Sequence, residues 1–358
     1  MTFTVDRMWT PPQIIGIGTA LPPTSYSQSD LLDAFSVTDR RIRSIFLNGG
    51  IERRHLSLSL DDGAGVPPQE SQGELLRKHE QVGLDIGRRA IAACLERAGA
   101  TPADVRHLCC VSSTGFIMPG FSALLIKDLG LRCSCSRLDV VGMGCNAGLN
   151  ALGAVAAWAS SHPGELAIMA CIEVCSAMYV FDDSLDTAVV NSLFGDGAAA
   201  IGLIAEPFTP REGPRLLRFS SHIITDAIRA MRVEWHGDQG KFNFCLDPDV
   251  PYVVGMNAEV SVDRLLSGTN LRRSDIGHWI VHSGGRKVID AVRVNLGLSR
   301  DDVRHTLGVL RDYGNLSSAS FLFSYDRLAE EGVASPGEYG ILMTMGPGST
   351  IETSLAVW

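Results

Sequence analysis

Residues 139–150 read DVVGMGCNAGLN, and this stretch decides how the rest of the chain is interpreted. Two valines end a β-branched segment, glycines at 142 and 144 supply a turn, and small apolar residues after Cys145 favour a helix. A thiol at a helix start meets free N–H groups and the positive end of the dipole, which favour the thiolate. The stretch predicts a strand, a turn with a reactive cysteine and a helix. A buried structural cysteine is the alternative that it leaves open.

Short apolar segments alternate with longer amphipathic ones on both sides of this stretch. Strands are predicted at 13–19, 107–112, 166–173, 198–204, 279–282, 339–345 and 350–357. Helices are predicted at 80–98, 147–160, 283–296 and 317–331. Such alternation predicts an α/β fold with mixed or parallel sheets.

The segment 205–214, rich in Pro, Glu and Gly, is the best place to divide the chain. On each side of it a glycine turn feeds an apolar strand, FGDGAAAI at 194–201 and GPGSTI at 346–351. The sequence therefore predicts two halves, 1–205 and 215–358, and suggests an internal duplication.

Bulk composition excludes several classes of protein. The 358 residues are 45% hydrophobic and 20% charged, which is typical of a globular protein with a large core. The net charge of −9, without a long basic run, argues against binding to nucleic acid or to anionic membranes. Residues 1–9 show no signal-peptide pattern, and no apolar stretch reaches membrane-spanning length. We expect a cytoplasmic protein.

The nine cysteines suggest free thiols in a reducing compartment, because their number is odd and the chain shows no export signal. None of them forms the paired CxxC spacing of a structural zinc site. Dinucleotide-binding, Walker and zinc-protease motifs are also absent from the sequence. We expect no metal.

Two further residues are candidates for chemistry. His282 ends an apolar segment and begins the glycine turn HSGG, a position that presents a side chain at the carboxyl edge of a sheet. Asn315 lies in YGNLSS at 313–318, just before a predicted helix. Taken singly, His282 could be a packed histidine and Asn315 a helix cap.

Taken together, GCNAG at 144–148, HSGG at 282–285, GNLSS at 314–318 and MGPG at 345–348 resemble the type III polyketide synthases of the chalcone and stilbene synthase kind. The resemblance runs from residue 14 to residue 358. It implies the thiolase fold, in which duplicated βαβαβ halves form a five-layered αβαβα core. It also implies malonyl-CoA as substrate, a homodimer and no cofactor.

The resemblance also implies roles for individual residues. Cys145 is similar to the acyl-carrying nucleophile, and His282 and Asn315 to the pair that acts in decarboxylation and condensation. Phe244 falls near the family's gatekeeping phenylalanine. Other expected residues are Met143, Gly346, Pro347 and Gly348 around the substrate cavity and Arg41, Arg43 and Arg54 at the CoA phosphates, where bidentate guanidinium groups suit phosphate.

These residue types fit decarboxylative condensation. A cysteine paired with a histidine can hold the growing chain as a thioester. An imidazole and an amide can stabilise the enolate that forms when malonyl-CoA loses CO₂, and neither is acidic enough to quench it. The resemblance implies that four malonyl-CoA give a cyclised tetraketide, with enoyl-CoA-hydratase-like helper proteins; another acyl-CoA starter, or a pyrone or resorcinol product, is the alternative.

Three competing classes remain to be weighed. A fatty-acid ketoacyl synthase shares the fold, but its membrane-bound branch has transmembrane anchors that this sequence lacks. A papain-type hydrolase would place its cysteine near the mature N-terminus. A non-catalytic partner of a synthase generally loses the nucleophile, which this chain retains.

Overall fold

The computed structural model describes residues 10–59, 70–180, 182, 184–206 and 213–358. The strands β1 to β13, in chain order, are Gln13–Ala20, Ser25–Ser27, Arg53–His55, Val105–Ser112, Ser136–Val141, Leu166–Glu173, Gly197–Ile204, Arg215–Ile223, Met231–His236, Lys241–Leu246, Ile276–Val281, Tyr339–Gly346 and Thr350–Val357. The helices α1 to α10 are Gln28–Ala34, Arg40–Asn48, Gln72–Ala98, Phe121–Asp128, Ala147–Ser161, Leu185–Leu193, Val250–Leu266, Arg286–Leu296, Arg304–Tyr313 and Ser320–Glu331. The α/β class is confirmed.

The central strands are buried on both faces. β6 reads LAIMACIE and β7 reads GAAAIGLI, and every residue of both is buried. Such continuous apolar strands are typical of a sheet covered on both sides. Glycines in β1 let α3 approach closely: a Cβ at Gly18 would lie 2.3 Å from the main-chain nitrogen of Cys94.

The two halves of the chain build the same strand pattern within a sheet of nine strands, ordered β11-β12-β13-β8-β1-β7-β6-β4-β5. In the first half β4 is parallel to β6, and β6–β7 and β7–β1 are antiparallel. In the second half β11 is parallel to β12, and β12–β13 and β13–β8 are antiparallel. This repetition supports the predicted halves 1–205 and 215–358. Residues 207–212, at the predicted division, lie outside the described residues.

Helices α5 and α10 form a central layer between the two groups of strands. α5 contacts β4, β6 and β7 on one side and β12 and β13 on the other, while α10 contacts β1, β7, β11 and β12. On the outer faces α3 and α4 cover the first group of strands, and α7 and α8 cover the second. The predicted five-layered thiolase arrangement is therefore confirmed.

Several boundaries differ from the predictions. The helix predicted over 283–296 begins only at Arg286, because Gly285 before it has a φ of 122°. The helix predicted from 317 starts as a 3-10 turn over Ser317–Ala319 and becomes α10 at Ser320. The helix α7 and the hairpin of β9 and β10 were not predicted.

All nine cysteines are free, as predicted. Within the described ranges, His, Cys, Asp and Glu side chains form no group of three or more that could hold a metal ion. Among the described helices, none combines the length and apolar character needed to cross a membrane.

Candidate active site

Cys145 lies where the first group of strands leads into the central layer. A short 3-10 turn, Gly144–Asn146, connects the end of β5 to α5. Gly142 and Gly144 have positive φ angles of 78° and 77°. A Cβ at Gly144 would lie 2.3 Å from Cδ of Pro347. The predicted strand, turn and helix are confirmed, and the turn requires glycine at position 144.

The Cys145 side chain is a buried thiol. The residue is 7% exposed, and its Sγ lies 3.8 Å from Oγ of Ser317. Burial raises the pKa of Cys145 to about 12, and the hydrogen bonds of the thiol with Ser317 and Asn315 act against this rise. The expectation of a thiolate is therefore corrected, because the loss of solvation outweighs the effect of the nearby helix start.

His282 follows the last residue of β11 and is 1% exposed. Its main-chain N–H donates to the carbonyl of Met343 in β12 at 2.9 Å, which extends the parallel ladder to the histidine. Burial lowers the pKa of His282 to about 3, so the imidazole is neutral at physiological pH. Its Nδ1 has no hydrogen-bond partner among the described residues.

Asn315 lies in the tight turn between α9 and α10, after Gly314 with a φ of 73°. Its Oδ1 accepts a hydrogen bond from the N–H of Ser317 at 2.8 Å and one from Oγ of Ser320 at 3.4 Å. The side chain therefore does cap the turn, which was the alternative interpretation. Because Oδ1 is engaged, Nδ2 is the atom left to donate to the thiol of Cys145 or to a substrate oxygen.

Two cavities meet at Cys145. The larger has a volume of about 650 Å³. The smaller has a volume of about 60 Å³ and is lined by His282 and Asn315. Cys145, Phe194, Met231 and Phe244 line both cavities. The fold thus brings the three residues that the sequence singled out to one small chamber, which adjoins a larger one.

Two aromatic rings stand at the junction of the cavities. The rings of Phe194 and Phe244 pack edge to face, with centroids 5.5 Å apart and an interplanar angle of 81°. Phe244 is the residue expected as a gate. Phe194 was missed, because its FGDG segment was interpreted only as the end of the first half.

The other predicted cavity residues divide into two groups. Pro347 lines the larger cavity. Gly346 packs against the turn that carries Cys145, since a Cβ there would lie 2.4 Å from Oδ1 of Asn146. Met143 packs against the central core, and Gly348 supplies a positive φ of 76° to the turn before β13. These three residues support the cavity walls and are not among their lining residues.

The predicted CoA-phosphate residues differ in exposure and in their partners. The Arg41 side chain is 74% exposed and pairs with Asp39 at 3.2 Å. Arg43, also in α2, donates to the carbonyl of Val37 at 3.1 Å. Arg54 is 0% exposed. Its prediction as a phosphate ligand is incompatible with this burial, because no phosphate can reach the guanidinium.

A basic cleft that the sequence analysis missed lies at the end of α2. Its volume is about 520 Å³, and Leu47, Gly50 and Glu52 form part of its wall. The cleft is lined by four arginines, Arg286, Arg300, Arg304 and Arg311. Arg286 begins α8, whose Val288 lines the small chamber. No local motif signals this cleft, since its arginines come from separate segments.

Glu173 was also missed, since it ends an otherwise apolar strand. The carboxylate is 0% exposed and accepts hydrogen bonds from Oγ of Ser318 at 2.5 Å and from Oγ1 of Thr114 at 2.9 Å. Burial raises its pKa. Thr114 lines the larger cavity, so Glu173 lies directly behind the cavity wall. Its carboxyl group holds the hydroxyl groups of Thr114 and Ser318 in place.

Comparison with protein families gives the class. Residues 66–207 match the model of the N-terminal domain of chalcone and stilbene synthases, and residues 225–357 match that of the C-terminal domain. The chain therefore belongs to the chalcone and stilbene synthase family, the type III polyketide synthases, which are acyltransferases. The predicted family is confirmed.

Particular relatives are close in sequence. The chain is 64% identical to a 3,5-dihydroxyphenylacetyl-CoA synthase of Streptomyces toyocaensis, over 97% of this chain and 90% of that protein. It is 63% identical to a 3,5-dihydroxyphenylacetyl-CoA synthase of Amycolatopsis balhimycina, over 96% and 92%. The crystal structure of PKS-I from the brown alga Ectocarpus siliculosus matches with a TM-score of 0.90 at 25% identity, covering 98% of this chain and 99% of that one.

Proposed function

We propose that this chain condenses four malonyl-CoA and cyclises the resulting tetraketide to 3,5-dihydroxyphenylacetyl-CoA, a precursor of dihydroxyphenylglycine in antibiotic biosynthesis. High identity to relatives of that name, over nearly the whole chain, supports the product. The observation that carries the chemistry is the meeting of Cys145, His282 and Asn315 at the junction of two cavities.

The loading step starts from an uncharged pair. With pKa values of about 12 for Cys145 and about 3 for His282, both groups are neutral at pH 7. The thiol proton moves to His282 as Sγ attacks the thioester carbonyl of the substrate. The CoA thiolate leaves and takes that proton. The products are acyl-Cys145, free CoA and a neutral His282.

Decarboxylation takes place in the small chamber. Malonyl-CoA loses CO₂, and the electron pair of the broken bond forms an enolate. The enolate oxygen accepts hydrogen bonds from His282 and from Nδ2 of Asn315. The nucleophilic carbon then attacks the acyl-Cys145 carbonyl, which transfers the chain to CoA and releases the Cys145 thiolate. The thiolate then attacks the CoA thioester of the extended chain, which returns to Cys145 for the next cycle while CoA leaves as a thiolate and takes a proton from solvent.

Ring closure takes place in the larger cavity. Most of its wall near Cys145 is apolar, including Met178, Val190 and Phe194. A water-poor wall protects the thioester from hydrolysis while a carbanion of the chain attacks a ketone. The product leaves as a CoA thioester. Enoyl-CoA-hydratase-like helper proteins accelerate the loss of water that completes the aromatic ring.

The protein is proposed to act as a homodimer in the cytoplasm. Phe116 is 62% exposed and Met118 is 84% exposed, in a loop that adjoins the larger cavity. Val141, 49% exposed, lies nearby at the cavity wall. Such a group of exposed apolar side chains supports a subunit interface. Light scattering at micromolar concentration should show a dimer for the wild type, and Met118→Asp should shift the equilibrium towards monomer.

The function is tested with malonyl-CoA as sole substrate and mass analysis of the products. The expected product is 3,5-dihydroxyphenylacetyl-CoA or its free acid, and Cys145→Ala should give none. A requirement for a long-chain or aromatic starter contradicts the proposed product. Exclusive formation of a pyrone or a resorcinol, even with helper proteins present, also contradicts it and favours the alternative synthase.

A further inference from the structure

Arg54 carries a fully buried positive charge near the active site. It lies in β3 and is 0% exposed, and its guanidinium stacks over the ring of Phe46 at 5.9 Å. Burial of a guanidinium is costly unless it is well hydrogen-bonded. Burial of Arg54 costs free energy that the arginines at the surface do not incur. Its enclosure therefore needs a structural reason.

Two of the hydrogen-bond partners of Arg54, Tyr179 and Phe194, line the larger cavity. Nη1 donates to the carbonyls of Asn191 and Phe194 at 2.6 and 2.7 Å and to the hydroxyl of Tyr179 at 2.7 Å. Nη2 donates to Oε1 of Gln28 at 2.7 Å. Tyr179 itself donates to the carbonyl of Phe194. One guanidinium therefore fixes the backbone of Phe194 and the side chain of Tyr179, and both residues line the larger cavity.

The same segment holds Asn315. The N–H of Asn315 donates to the carbonyl of Leu193 at 2.9 Å, and the N–H of Gly195 donates to the carbonyl of Asn315 at 3.0 Å. Phe194 thus forms a parallel β-bridge with Asn315. The position of the segment 193–195 determines where the Asn315 backbone lies.

The alkyl part of Arg54 contacts the Asn315 turn from the other side. A Cβ at Gly314 would lie 2.8 Å from Cδ of Arg54 and 2.6 Å from the carbonyl oxygen of Leu193. Gly314 therefore fits only because it has no side chain. Arg54 touches both strands of the bridge between Phe194 and Asn315, by hydrogen bonds on one side and by packing on the other.

We propose that Arg54 is a positioning residue that sets the Phe194 ring and the Asn315 amide relative to Cys145. It thereby couples the width of the passage between the cavities to the geometry of enolate stabilisation. The inference rests on the proposed function, because it assigns Asn315 to the enolate and the larger cavity to the growing chain. A displacement of a reacting group by about 1 Å can cost on the order of a hundredfold in rate.

Arg54→Lys tests the inference, because an ammonium cannot replace the planar fork that reaches four acceptors. Active enzyme is counted by the stoichiometry of Cys145 acylation, so that a loss of folded protein is divided out. Per acylated Cys145, we expect kcat for malonyl-CoA decarboxylation to fall at least about tenfold. We expect KM to stay within about twofold and the fraction of triketide products to rise several-fold.

The matched control is the neighbouring arginine. Arg53 is exposed and donates to Oγ of Ser25 at 2.9 Å. Arg53→Lys should leave kcat, KM and the product ratio as in the wild type. A merely structural role of Arg54 would lower the yield of active enzyme and keep the other values unchanged.

Tyr179→Phe covers the case in which Arg54→Lys does not fold, because it removes one hydroxyl of the same network. It should move decarboxylation and product ratio in the same direction, to a smaller extent. The inference is overturned if Arg54→Lys, or Tyr179→Phe in its place, shows wild-type kcat and product ratio per acylated Cys145. Should the wild type make a different polyketide, the proposed product fails, while the decarboxylation rates still decide the role of Arg54.

Discussion

The turns that lead into the two central helices occupy equivalent places in the two halves of the molecule. Gly144–Asn146 precedes α5 in the first half, and Ser317–Ala319 precedes α10 in the second. The first turn carries Cys145. The second directly follows Asn315, and Ser317 and Asn315 both hydrogen-bond to the Cys145 thiol. The duplicated scaffold therefore places its two central turns face to face.

The difference between the turns lies in how each achieves a left-handed backbone. The first uses glycine at 142 and 144, and Gly144 lets Pro347 pack closely against the turn. The second places Ser317 at a φ of 49°, which is costly for a residue with a Cβ, and its N–H is bonded to Oδ1 of Asn315. The glycines of the first turn permit close packing beside Cys145, whereas the hydrogen bond of the second turn fixes the Asn315 side chain.

Removing the nucleophile of the first turn should have the largest effect. Cys145→Ala should lower polyketide formation by at least about 10⁴-fold, because no thioester can be carried. The unfolding temperature should stay near the wild-type value, since alanine fits the turn without strain. Product mass analysis and thermal unfolding are the measurements. Tetraketide formation by this variant would refute the assignment.

Removing a donor of the second half should cost less. His282→Ala and Asn315→Ala should each slow malonyl-CoA decarboxylation by about 10²–10³-fold, since each takes one hydrogen bond from the same oxygen. The double variant should lose less than the product of the two factors, because the donors act as a unit. The measurement is the rate of CO₂ release from malonyl-CoA. A wild-type rate in either single variant would remove that residue from the mechanism.

The two halves share a testable response to acidification, because each contains a buried histidine. Burial lowers the pKa of His79, in α3, to about 4 and that of His282 to about 3, against 6.5 for an ordinary histidine. Because both folded pKa values are depressed, the stabilisation is complete above pH 6.5 and is lost as the pH falls towards 4. Each histidine should contribute up to about 1.4 kcal/mol per pH unit in this window.

The measurement is the free energy of unfolding between pH 7 and pH 4.5. His79→Gln and His282→Gln should each flatten its slope, whatever their effect on stability at pH 7. An unchanged slope in either variant would show that the corresponding imidazole is protonated in the folded state.

The smallest expected effect concerns which half binds the CoA phosphates. Arg41 belongs to the first half and Arg286, on the basic cleft, to the second. Loss of one guanidinium–phosphate contact should raise KM for malonyl-CoA about tenfold and leave kcat unchanged. Steady-state kinetics of Arg41→Ala and Arg286→Ala should show which of the two residues binds phosphate. Unchanged KM in both would exclude both.

Much of this comparison could be predicted from local sequence. The strand, glycine turn and helix around Cys145 follow from the residues of that segment. The buried strands β6 and β7 likewise follow from their own apolar residues. The hairpin of β9 and β10, a separate two-stranded sheet, was not predicted although its sequence carries the signal. MRVEWH at 231–236 and KFNF at 241–244 alternate apolar and polar residues, as a strand does. Trp235 and Phe242, on these two strands, are 55% and 46% exposed.

Long-range properties could not be predicted from the sequence. The sequence around Arg54 shows a basic residue in a polar stretch, whereas its burial depends on contacts with Tyr179 and Phe194, far away in the chain. The protonation of Cys145 has the same origin. The helix start favours a thiolate, but the enclosure that raises its pKa comes from both halves.

The unequal volumes of the two cavities that meet at Cys145 bear on the number of condensation steps. We expect the chamber at His282 and Asn315, about 60 Å³, to accept one small incoming unit, and the space of about 650 Å³ beside the Phe194 and Phe244 rings to hold the chain already assembled. The number of additions is then set by the volume that is left for the growing chain. A bulkier side chain in the larger cavity should end synthesis one unit earlier without slowing the units before it.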